Sequence, residues 1–170
     1  RFKREDGTDY PEWDCQPLGD LAYITSGKSN REDSDTDAKY HFFDRSSDVR
    51  RSGIYLFDDD AVIVAGEGQE FIPKKYSGKF DLHQRAYAIM KFGNRLSYEY
   101  CYYFIFHHRR YFEKMAVGTT VLSLRLPMFQ KMQIQLPSID EQAKIASVFE
   151  NLDSYLQKVS YSIQSTELLK

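Results

Sequence analysis

The sequence contains few cysteines and no long hydrophobic run. Its 170 residues include only two cysteines, Cys15 and Cys101, which lie far apart and form no CxxC pair, so reduced, buried thiols are expected. No apolar stretch approaches the ~18–20 residues that a membrane-spanning helix needs, and no basic start followed by an apolar segment suggests export. These absences predict a cytoplasmic protein with no membrane partner.

The sequence also lacks the motifs of nucleotide-binding and metal-dependent enzymes. The stretch GEGQEF has no third glycine of a GxGxxG fingerprint, and no GxxxxGK[ST] loop or methyltransferase signature occurs. His107 and His108 point about 100° apart on a helix, so they cannot hold one metal ion. The run DDD at residues 58–60 is predicted to be an exposed turn, and Asp37 with Lys39 imitates a nuclease D-x-K motif only in an acidic loop. We therefore expect no catalysis, metal or cofactor in this chain.

The charges that are present are unevenly distributed. The net charge of −2 argues against a nucleic-acid partner. However, residues 1–73 hold 9 Lys and Arg against 17 Asp and Glu, whereas residues 74–131 hold 11 against 3 and residues 132–170 hold 3 against 5. A basic middle third is typical of a surface that binds a polyanion. The alternative is that both signs mix on the folded surface and cancel.

The hydrophobic segments predict an α+β fold, with a globular mixed sheet and helix domain over residues 1–137. Residues 1–12 form a loose lead-in, and residues 29–39 form an exposed loop. Strands are predicted at residues 40–44, 53–57, 61–65 and 86–92, with AVIVA at 61–65 covered on both faces. A helix is predicted over residues 97–115, with Ser97 as its N-cap, and short strands are predicted within TTVLSLRL and MQIQLP.

The stretch LPSIDEQAKIASVFENLD at residues 136–153 predicts the start of a long, coiled-coil-type helix over residues 138–170. Ser138 and Glu141 have the spacing of a capping box. The following apolar residues repeat as a heptad seam: Ile145, Phe149, Leu152, Leu156, Val159 and Ile163. Such a helix is about 50 Å long, whereas the preceding domain should be under ~40 Å wide. The far half of the seam therefore predicts a partner helix, with a core helix and a frayed tail as the alternative.

Three segments resemble a known family. WDCQPLGDLAYITSGKS, GEGQEFIPKKYSGKFDLHQRAYAI and MAVGTTVLSLRLPMFQKMQIQLPSIDEQAKIASVFENLD resemble a target recognition domain of the specificity subunit of type I restriction–modification systems. The last segment is the most specific, because GTT is followed about fifteen residues later by the helix start QLPSIDEQAKIA. The resemblance extends from about residue 13 to the end of the chain.

The resemblance implies a division of labour among subunits. A specificity subunit carries two recognition domains, each followed by a long helix, and the helices pair antiparallel so that the domains read two halves of a bipartite DNA site. Partner subunits supply adenine methylation with S-adenosylmethionine, and translocating restriction subunits add cleavage with ATP and Mg²⁺, so none of these cofactors is expected here. This sequence holds one domain and one helix and starts at Arg1, which favours either a fragment or a half-size subunit that dimerises.

The charge map and the resemblance together predict where double-stranded DNA is contacted. Recognition uses groups that hold phosphates and groups that read base edges. The candidates lie after the first turn, in and after the glycine-rich stretch, and before the last strands: Lys28, Asn30 and Arg31; Gln69, Lys74, Lys75, Tyr76, Lys79, Gln84 and Arg85; and Gly118, Thr119, Thr120, Ser123 and Arg125. For the first group, a solvated polar loop is an equal alternative.

Three functions therefore remain open at the level of the sequence. The first is a non-catalytic module that recognises DNA for partner subunits. The second is a nuclease or another DNA-processing enzyme, and the third is a coiled-coil interaction module with no role on DNA.

Overall fold

The strand-forming segments assemble into one six-stranded sheet and two short ribbons. The computed structural model describes residues 2–167, with side chains described up to residue 165. The strands are β1 Asp14–Pro17, β2 Tyr23–Ser26, β3 Tyr40–Phe43, β4 Arg50–Ser52, β5 Phe57–Ala65, β6 Glu67–Gly68, β7 Lys74–Leu82, β8 Ala86–Met90, β9 Leu122–Ser123 and β10 Gln133–Leu136. The sheet order is β2-β8-β5-β7-β3-β4, and the ribbons are β1-β10 and β6-β9. Within the sheet β3 and β7 are parallel, and the other pairs are antiparallel.

Within the described residues, two 3₁₀ turns at Leu18–Asp20 and Arg31–Asp33 and four α-helices accompany the sheet: α1 Tyr98–His107, α2 Arg110–Met115, α3 Leu126–Gln130 and α4 Ile139–Glu167. One face of the sheet packs against α1, which joins the larger hydrophobic core. The Ser97 hydroxyl accepts the Tyr100 N–H at 3.2 Å, which confirms the predicted N-cap. Among the residues described, no helix combines the length and the apolar character that crossing a membrane requires.

The central strand β5 is buried on both faces, as AVIVA predicted. Val62 and Val64 belong to the core on the helix side of the sheet. Ala61 and Ile63 alternate with them and join a second cluster on the opposite face. All four side chains are at most 2% exposed, because β5 lies between β7 and β8 and both of its faces are covered.

Several sequence predictions are wrong in detail. The strand predicted at GIYLF begins only at Phe57, and the predicted acidic turn at residues 58–60 is part of β5, where it pairs with residues 77–79 of β7. No strand is predicted between residues 66 and 85, yet this stretch contains the nine-residue β7. The predicted helix over residues 97–115 is interrupted after His107. Cys15 is exposed rather than buried, whereas Cys101 is buried.

The lead-in is also less loose than predicted. Tyr10 is 6% exposed and lies beneath the cations of Arg4 and Lys144, whose terminal atoms are 5.5 and 5.3 Å from its ring centroid. Lys144 also donates a hydrogen bond to the carbonyl of Lys3. These contacts attach the segment to the first half of α4.

The N-terminal end of α4 is attached to the domain by two buried side chains. The Gln142 amide accepts the Ser97 N–H at 2.9 Å and donates to the carbonyls of Arg95 and Pro137 at 2.8 and 2.9 Å. Ser138 Oγ accepts the Glu141 N–H at 3.4 Å, which is one of the two hydrogen bonds of the predicted capping box. The Glu141 carboxylate accepts the Trp13 indole N–H at 2.9 Å. The motif IDEQ therefore attaches the helix to the domain besides capping it.

Farther along, α4 leaves the domain. Phe149 stacks on Tyr103 with ring centroids 5.1 Å apart, and Asp153 accepts the Tyr103 hydroxyl at 2.8 Å. Beyond this point Leu156, Val159 and Ile163 are 60%, 37% and 54% exposed. Since 29 helical residues span about 43 Å, the helix is too long for its far half to be covered by the domain.

Replacing Gln142 by Ala should destabilise the fold, because the change leaves one buried and two half-buried backbone groups without their partner. We expect the free energy of unfolding to fall by about 2–4 kcal/mol. The matched control is Gln157→Ala on the exposed part of the same helix, which should change stability by no more than about 0.5 kcal/mol. Urea denaturation followed by circular dichroism measures both, and equal midpoints would show that the Gln142 contacts contribute nothing.

Candidate nucleic-acid interface

Three adjoining cavities meet at Glu67, which lines all of them. Their volumes are about 240, 450 and 250 Å³. Arg45 lines the first two cavities, and Gln84 and Arg85 line the first and third. We call this region the arginine groove and define it by its polar lining: Asn30, Arg31, Glu32, Asp44, Arg45, Ser46, Ser47, Glu67, Gln69, Glu70, Lys74, His83, Gln84, Arg85, Ser123 and Arg125.

The parallel pairing of β3 and β7 positions the centre of the groove. Phe43 lies opposite Leu82 in this pair, so both strands end at the same edge of the sheet. Arg45 follows the end of β3 and Arg85 follows the end of β7, which brings two arginines from distant segments to one place. The sheet therefore supplies the spacing of the two guanidinium groups.

The loop before β3 joins the same edge through backbone contacts. Ser29 forms a parallel bridge with His83, and its carbonyl accepts the Gln84 N–H at 3.0 Å. The Gln84 side-chain amide donates to Asn30 Oδ1. Two amide side chains thus lie together beside Arg85.

Glu67 connects the two arginines. Its Oε1 is 2.8 Å from Arg85 Nη1 and its Oε2 is 3.4 Å from Arg45 Nη1. The side chain of Glu67 is only 14% exposed, whereas those of Arg45 and Arg85 are 53% and 60% exposed. The carboxylate is therefore shielded from solvent while both guanidinium groups remain accessible to a ligand.

The backbone around Glu67 requires a close approach that only glycine permits. The Gly66 N–H donates to the Arg85 carbonyl at 2.7 Å, and the Gly66 carbonyl accepts the Leu124 N–H at 2.8 Å. A Cβ at position 66 would lie 2.5 Å from that Arg85 oxygen. Glu67 itself pairs with Ser123 in the β6-β9 ribbon. The ribbon, the strand β7 and the groove are thus tied together.

Burial changes the pKa of two groups in the groove. Desolvation lowers the pKa of His83 below the ordinary imidazole value, although the Asp44 carboxylate opposes the shift. Desolvation also lowers the pKa of Lys74, again against the attraction of Asp44. The Lys74 ammonium donates to the Ser46 carbonyl. The Lys74 ammonium is thus partly enclosed by the protein.

Eight of the residues predicted from sequence line the arginine groove: Asn30, Arg31, Gln69, Lys74, Gln84, Arg85, Ser123 and Arg125. They come from four segments of the chain that the fold brings together. Their guanidinium and amide groups are the types that read base edges and hold phosphates.

Three other candidates of β7 line none of the three cavities. Alternate residues of a strand face opposite sides of the sheet, and Lys75 lies on the helix side, with its Nζ 3.4 Å from Glu150 of α4. Tyr76 lies on the same face as Lys74 but packs in the second cluster, with its hydroxyl 2.8 Å from His41 Nδ1. The Lys79 ammonium lies over the Tyr55 ring, 4.7 Å from its centroid.

The remaining candidates are exposed. Lys28 is exposed beside the turn that leads to Ser29. Gly118, Thr119 and Thr120 form the tip of a hairpin closed by the Val117–Ser123 bridge. Gly118 has φ +128, and a Cβ there would lie 2.3 Å from the Val121 oxygen, so its own turn requires glycine.

Sequence reasoning missed Arg45, Glu67 and His83. Arg45 directly follows the predicted strand YHFFD, but its importance depends on β3 lying parallel to β7, which no local pattern indicates. Glu67 lies in GEGQEF, which predicts no site. Its proximity to Arg85 follows from the β5-β8 pairing, in which Ala65 lies opposite Ala86, and from the hydrogen bond of the Gly66 N–H to the Arg85 carbonyl.

The described part of the chain, residues 2–167, contains no group of three or more His, Cys, Asp or Glu placed to hold a metal ion. Both cysteines are free, and burial raises the pKa of the Cys101 thiol. The functional interpretation therefore depends on the groove and on α4.

Comparison with known proteins identifies the family. The chain matches the type I restriction modification DNA specificity domain over residues 10–163. It belongs to that family. This specificity domain is 32% identical over 148 residues to the type I restriction enzyme EcoDI specificity subunit of Escherichia coli, covering 87% of the chain and 32% of that protein.

Solved structures share the fold. The S subunit of a type I system from M. genitalium has a TM-score of 0.75 at 19% identity, covering 87% of this chain and 41% of that one. The HsdS subunit from Thermoanaerobacter tengcongensis has a TM-score of 0.68 at 15% identity, covering 92% and 41%. The specificity domain thus spans about a third to two fifths of the length of these relatives. The predicted family and the α+β fold with a long C-terminal helix are confirmed, and the family is one of specificity rather than catalysis.

His83 should titrate below pH 6.5, the ordinary value for histidine. Because His83 then binds fewer protons in the folded state than in the unfolded chain, its contribution to stability is complete above pH 6.5. That contribution decreases as the pH falls from 6.5 toward the folded-state pKa. Imidazole resonances followed by two-dimensional NMR measure this pKa, and His83→Asn assigns the signal. A midpoint at or above 6.5 would contradict the burial of this ring.

Proposed function

We propose that the chain is a target recognition module that binds double-stranded DNA sequence-specifically through the arginine groove. It reads one half of a bipartite site and has no catalytic role of its own. The single observation that carries the proposal is the convergence of Arg45, Arg85 and the Asn30–Gln84 amide pair at the edge where β3 and β7 end. Membership of the DNA specificity domain family supports the same conclusion.

The chemistry of the groove suits base reading. An arginine can donate two parallel hydrogen bonds to O6 and N7 of guanine, and asparagine or glutamine can bind adenine in a similar way. Acidic residues such as Glu32 and Glu70 line the same cavities, so attraction to phosphates is moderate. The isolated chain should bind DNA weakly, in the range of ~10⁻⁴–10⁻⁶ M for non-specific duplexes.

The partners follow from the proposed role. Modification subunits would methylate adenine with S-adenosylmethionine, and a restriction subunit would use ATP and Mg²⁺ for translocation and cleavage in the cytoplasm. In this proposal, residues 1–137 form the recognition domain and residues 138–170 form the spacer helix. The last three residues of that helix lie outside the described part of the chain.

The spacer helix would bind a second recognition half, in the same subunit or in a homodimer. Leu152, Leu156 and Ile163 are 50%, 60% and 54% exposed, and burial of that remaining surface stabilises an interface by roughly 1–1.5 kcal/mol each. Ile145 already packs against the domain core and Phe149 against Tyr103. Pairing should therefore depend mainly on the part of the seam after Phe149.

Replacing Arg45 and Arg85 by Ala should weaken duplex binding by the complex assembled with its modification subunits. Loss of two guanidinium groups should lower the affinity for the selected site by about 100-fold and flatten its salt dependence. Fluorescence anisotropy at several salt concentrations, on a duplex selected from mixed sequences, measures both quantities.

Two variants serve as controls for this experiment. Arg95→Ala removes one positive charge, half of that removed by the groove variant, and Arg95 pairs with Asp14 of β1 outside the arginine groove. Lys75→Ala tests a cation that faces α4. Both should retain wild-type affinity for DNA. If the groove variant also keeps its affinity and salt slope, this surface does not bind DNA, and the exposed seam would favour a coiled-coil interaction module instead.

Replacing Leu152 and Leu156 by Lys should prevent helix pairing and leave the domain folded. Two ammonium groups in the seam would oppose burial. A homodimer of this chain should therefore dissociate into monomers, and the mass measured by light scattering should fall by half. Ser154→Lys with Gln157→Lys adds the same charge at exposed positions of α4 outside the seam. An unchanged mass for the leucine variant would remove the seam from the interface.

A further inference from the structure

We propose that Glu67 is a positioning residue that holds Arg45 and Arg85 in the orientation that reads bases. It would raise sequence discrimination while lowering the overall attraction of the groove to DNA. This inference rests on the proposed function of the arginine groove and concerns how that groove distinguishes one sequence from another.

The geometry assigns both carboxylate oxygens of Glu67 to arginines. Oε1 pairs with Arg85 at 2.8 Å, and Oε2 pairs with Arg45 at 3.4 Å. Each guanidinium group has five N–H donors, so a contact through one Nη1 atom leaves donors for a base or a phosphate. The two arginines follow different strands, and Glu67 is the side chain that links their heads.

Glu67 is itself fixed, as a positioning group must be. Its backbone pairs with Ser123 in the β6-β9 ribbon, and the preceding Gly66 is held between Arg85 and Leu124 by hydrogen bonds of 2.7 and 2.8 Å. The side chain is 14% exposed. The shielded carboxylate thus offers a fixed reference point, whereas an arginine free in solvent would sample many rotamers.

The sign of the charge argues for orientation rather than affinity. A carboxylate in a polyanion-binding groove repels phosphates and cancels part of the positive charge of its neighbours. A groove that needed only affinity would bind DNA more tightly without it. Its position between the two central arginines is therefore explained by what it does to their geometry.

The test is Glu67→Gln in the assembled complex, because glutamine keeps the shape and removes the charge. Its single amide oxygen can accept from one arginine, while its NH₂ group faces the other. The discrimination between the selected duplex and a scrambled duplex should fall by about 10-fold. Binding to the scrambled duplex should rise by about 3-fold at low salt. Glu67→Asp keeps the charge with a shorter reach and should restore part of the discrimination.

Glu150→Gln is the matched control, because Glu150 is exposed on α4 and pairs with Lys75 rather than with the arginines of the groove. It removes the same charge and one ion pair without breaking the link between the arginines. It should leave discrimination unchanged, and thermal melting by circular dichroism should show that every variant folds.

Each outcome is decisive. The inference is overturned if Glu67→Gln discriminates as well as the wild type, or if Glu150→Gln causes the same loss. It is also overturned if the preference changes at one base pair to a different base, because Glu67 would then contact that base itself. If the wild-type complex enriches no sequence from a mixed pool, the proposed function fails first.

Discussion

The parallel alignment of β3 and β7 is the constraint on which the candidate interface depends. Both strands run in the same direction, so the segments that follow them emerge at one edge of the sheet. Arg45 and Arg85 share that edge only because Phe43 lies opposite Leu82. A slip of one residue in this register would turn every side chain of β7 to the other face and would separate Lys74 from the groove.

Strand β7 also links the groove to the long helix. Alternate residues of β7 face opposite sides of the sheet. On one side Lys75 pairs with Glu150 of α4, and on the other side Lys74 lines the groove and Tyr76 packs in the second hydrophobic cluster. The start of α4 is held separately by the Gln142 amide. The helix is therefore attached at two places, to β7 through Glu150 and to the segments around Ser97 and Pro137 through Gln142, which gives the groove a defined orientation relative to the helix.

Much of the fold could be predicted where a local pattern decided it. AVIVA is apolar at every position and is buried on both faces, and Ser97 caps α1 as its spacing indicated. Local patterns failed where long-range pairing decided the structure. Residues 58–60 look like an acidic turn, yet they extend β5 because β7 is long enough to pair with them. The sequence does not predict the helix α3 within RLPMFQ, because five residues are too few to show a helical periodicity.

The sequence by itself determined the class of fold, the family, the long C-terminal helix with its apolar seam and the identity of half of the polar residues in the groove. These properties follow from short motifs and from the periodic spacing of apolar residues. The tertiary structure alone decided which candidates share a surface. It places Arg85 in the groove and Lys75 and Lys79 outside it. It also brings Arg45 to the same edge and places Glu67 between the two arginines. The physical reason is that strand direction, register and pairing partner arise from contacts between distant segments, which residue order does not display.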